Sequence, residues 1–179
     1  AGIEMKIVDP ETGEEKGVDE RGEILIRGYN LFDGYYKDPQ KTAEALDADG
    51  WYHSADIGSI DEHGHVMFHG RFKDMLKVGG ENVAAAEVEA VLATHPAVRL
   101  AQVVGLPDER LAEIPAAYIE REGDVEVEAE ELIAYTRQRL ASFKVPRHIR
   151  FIDEWPMSAS KIQKFKLRGA LMDELGLKD

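Results

Sequence analysis

Cysteine is missing from all 179 residues of this chain, which removes disulfides, thiolate metal sites and a cysteine nucleophile together. No apolar stretch approaches the roughly 18 residues that a membrane-crossing helix needs. A basic-then-apolar leader is also lacking: Ala1-Gly2-Ile3-Glu4 already reads as the start of a strand, so a cytoplasmic location is expected. Positive charge is scarce. With 22 Lys and Arg against 35 Asp and Glu, the net charge of −13 argues against nucleic-acid binding, which draws on a basic face to neutralise phosphates. Internal repeats and low-complexity segments are absent. The histidines offer little for a metal: His63, His65 and His69 near Asp61 fall on a turn and a strand, without a helical pairing or a cysteine context, and no metal site is expected. No nucleophile–His–acid arrangement stands out.

What is present is organised in two halves, and the length suits one medium domain or two small ones. Up to about residue 68 the chain is β-rich. Met5-Lys6-Ile7-Val8 alternates and runs into the turn-forming Asp9-Pro10-Glu11-Thr12-Gly13, and Gly22 to Gly28 reads as a second strand. Asp38-Pro39 starts a short helix through Leu46, with Asp38 as N-cap. Asp49-Gly50 turns the chain into Trp51-Tyr52-His53, and Asp61 to Gly64 turns it again into a strand at 65–69. After Gly70 the pattern becomes α+β. Ala84, Val88, Val91 and Leu92 share one helical face that ends near His95-Pro96. Strands follow at about 98–104 and 116–119, an acidic stretch at 123–130, a helix marked by Leu132, Ile133, Thr136 and Leu140, and a strand at 148–152. Leu167, Leu171 and Leu175 define a last helix stopped at Gly176. The expected fold class is α+β: a small β-rich subdomain, then a compact domain with a small sheet flanked by helices, divided at Arg71 to Lys73.

Charge is unevenly spread. Residues 137–168 carry Arg137, Arg139, Lys144, Arg147, Arg150, Lys161, Lys164, Lys166 and Arg168 against only Asp153 and Glu154. This is either a solvated basic face or a local positive field for a small polyanion such as a nucleotide or coenzyme A.

Two segments carry the most chemistry. Gly70-Arg71-Phe72-Lys73-Asp74-Met75-Leu76-Lys77-Val78-Gly79-Gly80-Glu81-Asn82 reads as a charged joint, a hairpin with a double-glycine bend, and then a helix. Adjacent glycines serve a tight turn, and they also let a ligand approach without a Cβ in the way. Met157-Ser158-Ala159-Ser160-Lys161-Ile162-Gln163-Lys164 reads as a loop projecting a lysine. Together and in this order, the two resemble the C-terminal signature of the adenylate-forming acyl-CoA synthetases. Trp51 to Gly58 resembles the same family's Thr-Gly-Asp motif, with Ser54 and Ala55 in place of Thr and Gly and the acid kept as Asp56. Arg21 to Gly28, Gly34 to Pro39 with Thr42, Leu111 to Pro115, and Ser142 to Arg147 resemble further family segments.

The resemblance implies a two-step ligase using ATP, CoA and Mg²⁺, with a carboxylic acid, fatty or aryl, as the other substrate. It assigns residues 1–70 to the end of an N-terminal adenylation domain, 71–73 to a hinge centred on Lys73, and 74–179 to a mobile C-terminal domain. Asp56 would bind both ribose hydroxyls, since a carboxylate can accept from two vicinal donors, and Arg71 would contact the ribose. Lys161 would be the catalytic lysine, a compact ammonium suited to phosphate and carboxylate oxygens. Gly79 and Gly80 would line the pantetheine tunnel, and Lys144 and Arg147 would meet CoA phosphates. Glu113 reads as structural, and Lys164 and Lys166 as polyanion contacts or plain surface. A phosphate loop, adenine site, acyl pocket and Mg²⁺ ligands would lie in an N-terminal region outside this chain, which alone would be inactive; the implied enzyme admits a homodimer. Two alternatives stay open: an acyl-AMP ligase that loads a carrier protein, and a non-catalytic nucleotide- or protein-binding module.

Overall fold

The computed structural model describes residues 2–123 and 125–178. The expected strand start at Ala1 lies outside them, as does Asp124 of the acidic stretch. The chain forms two compact units, Ala1–Lys73 and Asp74–Asp179.

The first unit is an antiparallel meander of four strands in the order β1-β2-β3-β4: β1 (Ile3–Val8), β2 (Gly22–Gly28), β3 (Tyr52–Ile60) and β4 (Val66–Arg71). Its turns are held by aspartates that accept backbone N–H groups: Asp9 takes those of Glu11 and Thr12, Asp47 those of Asp49 and Trp51, Asp61 those of His63 and His65. Asp61 also accepts from the His65 ring, so the acid and histidines of this stretch build a turn. Asp38 caps helix α1 (Pro39–Ala45) by accepting the Lys41 N–H at 3.0 Å. Two strands outrun the expectation. β3 continues to Ile60 and β4 to Arg71, because Asp56 and Arg71 pair across the ladder. The buried apolar cluster here is small, Val8, Leu25 and Trp51, and the Lys6 and Arg27 cations each lie 4.4 Å from the Trp51 ring centre.

A 3₁₀ turn, Phe72–Asp74, carries the chain across the division after Lys73. A five-stranded sheet follows: β5 (Met75–Val78), β6 (Glu81–Ala84), β7 (Val98–Asp108), β8 (Ala112–Arg121) and β9 (His148–Phe151), in the order β6-β5-β8-β7 with β9 parallel to β8. Helices α2 (Ala85–Ala93) and α3 (Ala129–Arg137) supply one layer, and α4 (Lys164–Leu175) belongs to another. Alternation along β8 sends Ala117 and Ile119 into the cluster of Val88, Leu92 and Leu132, and Ala116 and Tyr118 into that of Leu167, Leu171 and Met172. Two dry layers therefore sandwich the sheet. Gly176 stops α4 in the left-handed conformation, φ 67°.

Strands β7 and β8 are several residues longer than the alternating runs suggested. Pro107 and Pro115 lie within the paired register, and the Pro115 carbonyl accepts the Arg147 N–H at 2.9 Å. Leu140 lies beyond α3, in a turn closed by its N–H to the Thr136 carbonyl. Among the described residues no helix is long and apolar enough to cross a membrane.

Candidate functional site

The site residues of the first unit come together. Asp56 and Arg71 face each other across β3 and β4, and Arg71 Nε donates to Asp56 Oδ1 at 2.7 Å. The carboxylate is partly exposed, and Oδ2 has no partner among the described residues. A carboxylate steadied on one oxygen and open on the other, beside a guanidinium with further donors, suits a vicinal diol or an anionic neighbour. Tyr52 stands near the pair. Its ring packs edge-on against Phe32 at 5.7 Å, and burial pushes its phenol pKa up.

Asp56 owes its place to an irregular strand. Ser54 Oγ donates to the Ile24 carbonyl at 2.7 Å and accepts the Asp56 N–H at 3.0 Å. Ala55 sits at φ 57°, a left-handed conformation that costs a residue with a Cβ about 1–2 kcal/mol. Glu23 accepts from Ala55 and lies within hydrogen-bond distance of His53. Sequence reasoning assigned Glu23 no role. The available signal was an acid at the start of an apolar strand, since a buried carboxylate must find partners.

Lys73 is exposed, in the turn where the two units meet. In the second unit, β5 and β6 make the expected hairpin with Gly79 and Gly80 at its tip, φ 61° and 89°. The two glycines differ. The Gly79 N–H donates to the Leu111 carbonyl at 2.7 Å, and a Cβ on Gly79 would press on Leu111 at 3.1 Å. A Cβ on Gly80 would meet nothing within 4 Å. Lys77 Nζ donates to Asn82 Oδ1 across the hairpin, and Glu113 accepts the Lys77 N–H at 2.7 Å. Glu113 is thus structural, a brace between β8 and β5. Ala112, where the related pattern has glycine, sits at φ 66°.

Lys161 is exposed, and its setting differs from the expected loop. It stands in a two-strand hairpin, β10 (Met157–Ser158) with β11 (Lys161–Ile162), paired to Ser158. The left-handed residue of that turn is Ala159, φ 50°, so Ser160 in place of glycine carries no such strain. Lys164, read as surface or a polyanion contact, is a clasp instead: its Nζ donates to Glu89 Oε1 at 2.7 Å, and the same oxygen accepts the Val103 N–H at 2.7 Å. Lys166 is exposed.

The fold brings acids to at least four of the nine basic residues of the run. Lys144 donates to both oxygens of Glu87 at 2.7 and 2.8 Å, Arg147 lies 3.5 Å from Asp108, and Arg150 bonds Glu174 at 2.6 Å. The Arg150 hydrogen bond holds the Glu174 carboxyl below its usual range, and backbone donation from Leu111 and Arg110 does the same for Asp108. Arg168 Nε donates to the Gly105 carbonyl at 3.0 Å. An unpaired positive field across the whole run is not what this unit displays. Among the described residues no three His, Asp or Glu side chains gather as a metal site.

The model of the AMP-binding enzyme C-terminal domain matches residues 87–161, and that of the AMP-binding enzyme matches residues 1–36. A medium-chain acyl-CoA ligase of Danio rerio is 43% identical over 175 residues, 97% of this chain and 29% of that protein. In Rhodococcus jostii, a 3-[(3aS,4S,7aS)-7a-methyl-1,5-dioxo-octahydro-1H-inden-4-yl]propanoyl:CoA ligase is 44% identical over 157 residues, 87% of this chain and 30% of that one. ATP-bound MatB from Rhodopseudomonas palustris superposes with a TM-score of 0.89 at 32% identity, over 97% of this chain and 35% of that structure. The chain spans about a third of the length of the relatives it matches. Matching them through both units, it belongs to the adenylate-forming AMP-binding enzymes and corresponds to the C-terminal part of their acyl-CoA ligases.

Proposed function

We propose that this chain supplies the ribose clamp and the mobile lysine of an ATP-dependent acid–CoA ligase. In the first half-reaction a carboxylate oxygen attacks the α-phosphorus of ATP, giving acyl-AMP and releasing pyrophosphate. In the second, the CoA thiol attacks the acyl carbon and AMP leaves. The observation that carries the reading is the Asp56–Arg71 pair, 2.7 Å apart at the end of a sheet with one carboxylate oxygen open. Asp56 accepts the ribose hydroxyls while Arg71 steadies it. Lys161, on an exposed hairpin with no carboxylate holding it among the described residues, brings its ammonium to the oxygens that gain charge as the acid attacks.

The division of the chain after Lys73 supports a pivot there, with the second unit turning as a body between half-reactions. Gly80, rather than Gly79, is the better candidate for the pantetheine path, because its open side would let a thin chain pass. Lys144 and Arg147 could reach CoA phosphates only by exchanging Glu87 and Asp108 for them. Mg²⁺ would arrive with the phosphates of ATP, on ligands outside this chain. A cytoplasmic setting suits a sequence without cysteine.

Separating the half-reactions in the complete enzyme tests the reading. Lys161→Ala is expected to slow adenylation by about 10²–10³, the usual cost of one preorganised charge-stabilising donor. Thioester formation from supplied acyl-AMP should stay near normal, and Gly80→Leu should show the reverse pattern. Equal losses in both halves for both variants would overturn the assignment.

A further inference from the structure

We propose that Glu23 is a positioning residue for the ribose carboxylate: its side chain sets the bulge that presents Asp56, an inference that rests on the ribose reading of Asp56. Between the pairs Glu23↔Ile57 and Leu25↔His53, β2 spends one residue, Ile24, while β3 spends Ser54, Ala55 and Asp56. One residue cannot offer backbone partners to three, so side chains take over. Glu23 Oε1 accepts the Ala55 N–H at 3.0 Å, and Oε2 lies 3.0 Å from His53 Nδ1. Ser54 links the bulge back to Ile24 and forward to the Asp56 N–H.

Each part of this device is over-determined. Ala55 has a Cβ and still holds φ 57°, a state that persists only where the surroundings enforce it. Glu23 is 9% exposed, so both carboxylate oxygens need the partners they have. Removing the carboxylate leaves the Ala55 N–H and the His53 ring without their acceptor and frees Ala55 to relax to ordinary backbone. Asp56, the next residue, then loses its aim at Arg71. Bulges recur beside binding residues because they re-aim a side chain. Here the setting group lies 32 residues away in sequence from the backbone that it holds.

Amide hydrogen exchange on this chain reads the structural half directly. In Glu23→Ala, protection of the Ala55 N–H should fall by about 10–100-fold, the scale of a lost hydrogen bond to a charged group, while Leu25 and Ile26 keep theirs. Glu23→Gln retains one acceptor and should recover most of the Ala55 protection. Unchanged protection at Ala55, or uniform loss along β2 and β3, overturns the inference whatever Asp56 binds. The functional half compares ATP with 3′-deoxy-ATP in the complete enzyme. Asp56→Asn and Glu23→Ala should each cut the preference for ATP by about tenfold through KM, and the double variant should be no worse than Asp56→Asn. Additive losses would overturn the proposal, because Glu23 would then act by another route. Full preference retained in Asp56→Asn would overturn the ribose reading, and the positioning role with it, even where the exchange data show that Glu23 holds the bulge.

Discussion

The two units are held together by different physics. In the second, two apolar layers sandwich a sheet, and Leu92, Leu132 and Leu171 are fully out of water. In the first, three apolar residues form the cluster, and order comes from side chains bonded to backbone: Asp9, Asp47 and Asp61 at turns, Glu23 and Ser54 at the bulge. The Lys16 hydrogen bond, aided by backbone donors, holds the Asp9 carboxyl down to about 2. Apolar layers tolerate displacement as a body, which suits a unit proposed to move. Directional polar links fix single atoms, which suits a unit proposed to grip a ribose.

The sharpest way to break this comparison is to excavate both cores. Leu92→Ala should destabilise the second unit by about 4 kcal/mol, because a close-packed layer cannot collapse into the cavity. Leu25→Ala should cost the first unit nearer 2 kcal/mol, since its cluster is small and shielded by Lys6 and Arg27. Urea unfolding followed by tryptophan fluorescence can read each unit, because Trp51 lies in one and Trp155 in the other. Equal losses would mean that the first unit is a packed core after all.

A smaller effect tests how the lysine hairpin is held. Lys164→Met should cost about 1–2 kcal/mol, because Glu89 loses a charged partner while keeping Val103. In the complete enzyme it should slow adenylation without changing the second half-reaction, by less than Lys161→Ala does. A variant indistinguishable from the parent in both stability and rate would make Lys164 a surface residue. Smallest of all, Ala55→Gly and Ala112→Gly should each stabilise their unit by about 0.5–1 kcal/mol, since glycine relieves left-handed strain at some cost in unfolded-state entropy. A gain at Ala112 without one at Ala55 would sharpen the contrast, showing that the bulge tolerates no added freedom.

Much of the fold was legible residue by residue. The helix over Val88 and Leu92, the helix stopped at Gly176 and the strand from Gly22 to Gly28 follow from period and punctuation, and they form where expected. The hairpin of β7 and β8 is longer than the alternating runs suggested, because its turn end, 105–108 against 112–115, is fixed by cross-strand pairing and not by alternation along either strand. At the site, Asp56, Arg71 and Lys161 could be singled out by motif. Glu23, Glu87 and Glu89 could not, because their meaning depends on partners 32, 57 and 75 residues away.

The amino-acid sequence by itself determined the family, the α+β character and the candidate residues, because apolar period, glycine at turns and motif spacing are local properties of a chain. Only the tertiary structure decided which charges are free to act. A run of nine basic residues reads in sequence either as a solvated face or as one positive field; folded, Lys144, Arg147, Arg150 and Lys164 meet carboxylates from distant strands and helices. Lys161 meets none among the described residues. Ion pairing falls off within a few ångströms, and those separations are set by how the layers pack, not by the order of residues along the chain.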